Sequence, residues 1–212
     1  MSPSRSPQPR ARCAASPSPR CSLFQALKSE RLIFTDPTIG VNGGPALVRP
    51  ALALDAVWCA SVLARLDRPD QRLIVLLAGV HALRSSDITG LRLDEVDPAA
   101  ATMHLGQRQR HLDRLTVAEL RAWLQLRRTR WPSTANRHVF TNQSTAGGIQ
   151  PVSRSYIRSV CTQVGTTARA LRVDRLLAEA EANGGDPVGL ARMFGLSLPT
   201  AVQYCSQVGL AQ

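Results

Sequence analysis

HALRSSDITGLRLDEVD, residues 81–97, is the stretch on which the fold turns. The run that leads into it, DQRLIVLLAGVHALR (70–84), is apolar almost all round. That pattern predicts a helix at the centre of a core, with Asp70 as its cap. The run closes on Arg84, and Ser85 or Ser86 opens a further short helix, SDITGLRL.

Outward from this stretch the pattern stays helical. On the N-terminal side, ALALDAVWCASVLARL (51–66) sets Leu52, Val57, Ala60 and Leu63 near one face, with Trp58 at its edge. On the other side, residues 102–106 and 112–115 read as two short strands around a polar, arginine-rich turn, GQRQRH. Thr116 with Glu119 forms a capping box for the helix VAELRAWLQLRRTR. RHVF (137–140) reads as a further strand, and PVSRSYIRSVCTQV as a helix after Pro151. Three helices follow: RVDRLLAEAEA, then DPVGLARMF with Asp186 as cap and Pro187 in its first turn, then LPTAVQYCSQV capped by Ser197. The chain is expected to be mainly α with a small β-hairpin or sheet, and it shows no internal repeat.

With 212 residues, 44% of them hydrophobic, the chain can bury one good core. Residues 1–49 separate from the rest. The first twenty are mostly Ser, Pro, Arg and Ala without an acid, a composition that cannot offset the entropy of ordering. They and the Gly/Pro-rich stretch after them read as a disordered tail and linker, and residues 50–212 as the folded domain. The net charge is +11, and Lys28 is the sole lysine among 26 basic residues. Arginine forks pair bidentately with phosphate oxygens, so such a surface favours nucleic acid as partner. Five scattered cysteines without a C-x-x-C pair give no zinc or disulfide framework, and a cytoplasmic setting follows. The longest apolar run, residues 73–80, is too short to span a bilayer, so no membrane partner is expected. The four histidines lack ligand spacing, and no metal or other cofactor is implied.

Two arginine-bearing boxes and a late tyrosine complete the pattern. LRVDRLLAEAEANGGDPVGLARMFGLSLPTAVQYC (171–205) begins with Leu171-Arg172 and closes on Tyr204, one of two tyrosines in the chain. The order LR–x₂–D–x₂–G–L–x₃–E–V–D, hairpin, long helix, Leu-Arg helix and terminal tyrosine helix resembles the catalytic domain of tyrosine recombinases, the phage integrase family. The resemblance runs from about Pro50 to the C-terminus. It implies an integrase-like fold, with Arg84 and Arg172 holding a DNA phosphate and Tyr204 as nucleophile. It also implies Arg108, Arg110 and Arg169 as DNA contacts, and DNA breakage and rejoining through a phosphotyrosyl intermediate. A tyrosine nucleophile divides one hard step into two, while the arginines neutralise the charge that develops on phosphorus. An assembly of identical chains on DNA, of mobile-element origin, completes the expectation.

The chain departs from that pattern at three places. The hairpin has no lysine, and Gln107 or Arg108 stands there. Arg169 occupies the histidine position of H-x-x-R, and Leu196 the position where the family has His or Trp. A missing acid or orienting group costs about 10²–10⁴ in rate, so a very slow or inactive DNA strand-transferase is expected. The N-terminal DNA clamp of the family has no counterpart in residues 1–49, which reads as truncation.

Other readings stay open at this point. Apart from the box, Arg84 is a helix-terminal arginine paired with Asp87, Arg172 part of a solvated face, and Tyr204 a half-buried anchor. DPVGLARMFGLSLPTAVQYCSQ also fits a helix-turn-helix that binds DNA without cutting it, with Thr200, Gln203 and Tyr204 on the groove-facing helix. A non-catalytic remnant that keeps the fold is a third reading.

Overall fold

The computed structural model describes the backbone of residues 56–209 and the side chains of 60–208. The tail and linker assigned to residues 1–49, Lys28, and the side chains of Leu52, Val57 and Trp58 lie outside the described residues. The described chain is mainly α-helical with one small antiparallel sheet. In order it runs α1 (Ala56–Ala64), α2 (Pro69–Gly79), α3 (Ser85–Gly90), a 3-10 turn (Leu93–Glu95), β1 (Val96–Asp97), β2 (Thr102–Leu105) and β3 (Arg108–His111). There follow α4 (Arg114–Arg130), α5 (Arg154–Gln163), α6 (Ala168–Ala182), α7 (Pro187–Phe194) and α8 (Leu198–Gly209).

Helix α2 is buried all round, from Leu73 through Gly79, and packs against α4, α5 and α6. It differs from the sequence reading at both ends. Arg68 is its N-cap, and Asp70 sits inside the first turn, 1% exposed, where it accepts hydrogen bonds from Arg68 and from the Tyr156 hydroxyl. The helix stops at Gly79 rather than running on to Arg84. In α1 and just beyond it, Val62 and Leu66 are buried, while Ala60 is exposed.

The hairpin is shifted from its expected place. Thr102 pairs with His111, Met103 with Arg110, and Leu105 with Arg108, so the arginine-rich segment is the second strand and not the turn. The turn is Gly106-Gln107, with Gly106 at φ 60°, a left-handed position that suits glycine. Side chains alternate along a strand, so Arg108 and Arg110 share a face with Met103 and Leu105. Residues 137–140 form no strand; a single bridge joins His138 to Arg92.

Trp123 anchors the main core. It is fully buried, stacks on Phe140 with ring centroids 6.5 Å apart, and donates its indole N–H to the Val139 carbonyl at 2.8 Å. Trp123→Ala is expected to cost about 3–5 kcal/mol, read as a large fall in the urea midpoint.

Helix α4 is capped by Asp113, not by Thr116. The Asp113 carboxylate accepts the amides of Leu115 and Thr116, the Thr116 hydroxyl at 2.5 Å, and the His81 ring at 3.1 Å. Burial alone would raise this carboxyl. The hydrogen bonds from His81 and Thr116 outweigh burial and hold it well below the usual carboxylate range. A carboxylate depressed in the fold stabilises above its unfolded pKa of about 3.9, and that contribution is lost as pH falls through the folded value. Asp113→Asn should therefore be less stable at pH 7 and lose less stability on acidification below about pH 4. Urea midpoints across that range check this; parallel pH profiles for the two proteins would contradict it.

Candidate functional site

The site grows from the turn that ends α2. Ala82 takes a left-handed backbone, φ 53°, and closes the helix where glycine is the usual residue. That turn presents three successive carbonyls, and an arginine donates to each. Arg175 reaches the Val80 carbonyl at 3.2 Å, Arg110 the His81 carbonyl at 2.9 Å, and Arg172 the Ala82 carbonyl. Strand β3 and helix α6 thereby fix their arginines on one backbone feature, at the negative end of a helix dipole.

Arg84 follows at once, exposed, as the N-cap of α3. The Asp87 carboxylate accepts the backbone amide of Arg84 at 3.2 Å, and the two side chains form no ion pair. Among the described residues, no carboxylate lies within ion-pair distance of Arg84, Arg108, Arg110 or Arg172. Arg175 differs, since Glu179 holds it at 2.7 Å.

These four arginines line a cleft of about 420 Å³, with Asp87 and Glu95 as the acids on its wall. A second cavity of about 270 Å³ is lined by Arg84, Arg169, Arg172, Thr200 and Tyr204. Arg84 and Arg172 belong to both. Burial, then the neighbouring Arg84, lowers the pKa of Arg172, while Tyr204 and Asp87 work the other way. Arg110 is lowered by burial, then by Arg172 and Arg108. Crowded guanidiniums without carboxylate partners form a site that an anion would stabilise.

Tyr204 is 7% exposed and belongs to a small apolar cluster with Leu176, Leu190, Phe194, Leu196 and Ala201. It faces inward, not onto an outer helix surface, and Thr200 lines the same cavity. Gln203 is exposed. Burial and Asp186 raise the Cys205 thiol, which leaves it protonated.

The sequence-predicted residues divide over the two cavities. Arg84, Arg172, Arg169 and Tyr204 share the smaller; Arg84, Arg172, Arg108 and Arg110 share the larger. None of His81, His104, His111 and His138 lines either. Leu196 is buried in the small apolar cluster. Sequence reasoning missed Arg175 and Phe194, whose ring has two guanidiniums against it, Arg110 at 5.7 Å and Arg175 at 5.6 Å from the centroid. It also missed the three carbonyls at the end of α2. Nothing in residue type or spacing marks a backbone carbonyl as a ligand.

No family model matches the chain, and no curated protein matches it by sequence. Solved structures do match. The chain is similar to XerA recombinase with a TM-score of 0.60 and 18% identity, over 88% of this chain and 69% of that one. It is similar to XerH site-specific recombinase, bound to its palindromic difH substrate in a post-cleavage complex, with a TM-score of 0.60 and 18% identity. There the match covers 81% of this chain and 54% of that one, about half its length. The Tn1549 transposon integrase, in complex with a circular intermediate DNA, matches with a TM-score of 0.55 and 14% identity, over 90% and 76% of the two chains. The fold is that of the recombinase and integrase catalytic domain.

Proposed function

We propose that residues 50–212 form a DNA-binding, recombinase-like catalytic unit that holds a phosphodiester between Arg84 and Arg172, facing Tyr204. The observation that carries this reading is the shared cavity: two guanidiniums without carboxylate partners and the one tyrosine of the terminal helix line the same 270 Å³. The inward position of Tyr204 favours this reading over the helix-turn-helix. Arg108, Arg110 and Arg169 extend the basic surface to the flanking backbone, where phosphate contacts set register without reading sequence.

In the reaction, Tyr204 gives its hydroxyl proton to solvent as its oxygen attacks phosphorus; a phosphotyrosyl bond forms, the P–O bond to the 5′-oxygen breaks, and that oxygen leaves. Two guanidiniums can neutralise the phosphorane, an electrostatic contribution that needs no reorganisation at the moment of reaction. Among the described residues, neither cavity offers a lysine or histidine to protonate the departing oxygen. Arginine keeps its proton, and no histidine lines the cavities. The proposed activity is therefore DNA binding with strand cleavage slowed by about 10²–10⁴ for the absent acid.

The test is covalent trapping. The full chain is incubated with nicked duplexes whose cleavage releases a short fragment and prevents religation. A small, slowly accumulating protein–DNA adduct is expected, absent from Tyr204→Phe. An adduct that persists in Tyr204→Phe would assign the chemistry elsewhere.

A further inference from the structure

We infer that Arg110 holds a DNA phosphate in the larger cleft, beside the one between Arg84 and Arg172, and that Phe194 is the positioning residue that aims it. The inference rests on the DNA-binding reading above and adds to it a residue from outside the arginine–tyrosine set.

Arg110 lies on the inner face of the hairpin, opposite the fully buried Met103, and is held from two sides. One N–H donates to the His81 carbonyl, on the turn that leads to Arg84. Its guanidinium carbon lies 5.7 Å from the centroid of the Phe194 ring, within the range of a cation–π contact. The ring is itself fixed. Phe194 is 7% exposed, and Arg175, tied to Glu179 and to the Val80 carbonyl, lies against the same ring at 5.6 Å. The ring thus has a neutralised arginine as a fixed post and an arginine without a carboxylate partner as its cargo. Of the five N–H groups of Arg110, one is used by His81, which leaves others for an anion in the cleft.

Phe194 also ends α7. Gly195, at φ 67°, turns the chain there toward α8, and a Cβ at that position would lie 2.5 Å from an Arg108 guanidinium nitrogen. The hairpin arginines are therefore set against the same corner from which the helix bearing Tyr204 departs. Loss of the ring would free Arg110 from that corner while leaving its charge in place.

The experiment is a double-mutant cycle on the full chain. Affinity for a short duplex of arbitrary sequence is measured by fluorescence anisotropy from about 50 to 200 mM salt. The proteins are the parent, R110Q, F194L, the double variant and F194Y, with urea midpoints taken for each. R110Q and F194L should each weaken binding about tenfold and make the salt slope shallower by about 0.9, one phosphate contact. The double variant should bind as R110Q does, because Phe194 acts through Arg110. F194Y, which keeps a ring, should restore near-parent affinity. If F194L lowers the urea midpoint but keeps the parent slope, or if the two losses multiply, the Phe194 inference is overturned. A parent chain that binds no duplex at the lowest salt overturns the DNA reading and this inference together.

Discussion

Replacing both Arg84 and Arg172 with glutamine is expected to weaken DNA binding by about 10²–10⁴-fold. A hydrogen bond to a charged group contributes about 1.5–3 kcal/mol, and two such groups meet at the common wall of both cavities. The two positions should differ in their side effects. Arg172 also donates to the Ala82 carbonyl, so Arg172→Gln should lower stability as well as affinity. Arg84 makes no ion pair among the described residues and is exposed, so Arg84→Gln should lower affinity with little change in the urea midpoint. Arg172→Lys keeps the charge but loses the fork, and should fall between parent and glutamine variant. Anisotropy titrations with matched urea curves check this. Parent-like affinity in the double variant would place the DNA surface elsewhere.

The second large effect concerns the departing oxygen. A duplex with sulfur in the 5′-bridging position should give about 10²–10⁴ more adduct than the ordinary phosphodiester. A thiol has a pKa of about 8.5, against about 15.7 for water, the nearest simple model of an alcohol. Sulfur leaves as a thiolate without a proton, so a site that neutralises the phosphorane but lacks an acid should cleave it. The gain should vanish in Tyr204→Phe and shrink in Arg172→Gln. Equal adduct from the sulfur and oxygen substrates would mean that a proton donor reaches the site after all.

The fold was legible where chemistry marks the backbone. Asp186 and Pro187 mark the start of α7 as cap and first turn, and the all-round apolar run of α2 placed it at the centre. The misreadings have specific causes. Helix α2 ends through Ala82 in a conformation that usually draws glycine, so the sequence carries no stop signal there. Strand β3 alternates between cleft and solvent, not between core and solvent, so its period of two is written in arginines, and hydrophobic patterning cannot detect it. Asp113 and Thr116 are both good caps, and the choice falls to Asp113 because its carboxylate also accepts from His81, which is distant in sequence.

Spacing within the resemblance singled out Arg84, Arg172 and Tyr204. It could not show what holds them. The Arg110 and Arg172 contacts with the carbonyls that close α2 span 29 and 90 residues and involve backbone oxygens. Phe194 reads as an ordinary core residue until two guanidiniums are seen against its ring.

The most direct test of the Arg84–Arg172–Tyr204 site is peptide mapping after reaction with the sulfur-bridged duplex. Cleavage after Arg192 releases residues 193–212 as one C-terminal peptide that contains Tyr204 and no other tyrosine. The nucleotide adduct should lie on that peptide, at Tyr204, and should disappear with Arg84→Gln together with Arg172→Gln. An adduct on any other residue, or one that survives loss of both arginines, would contradict the assignment.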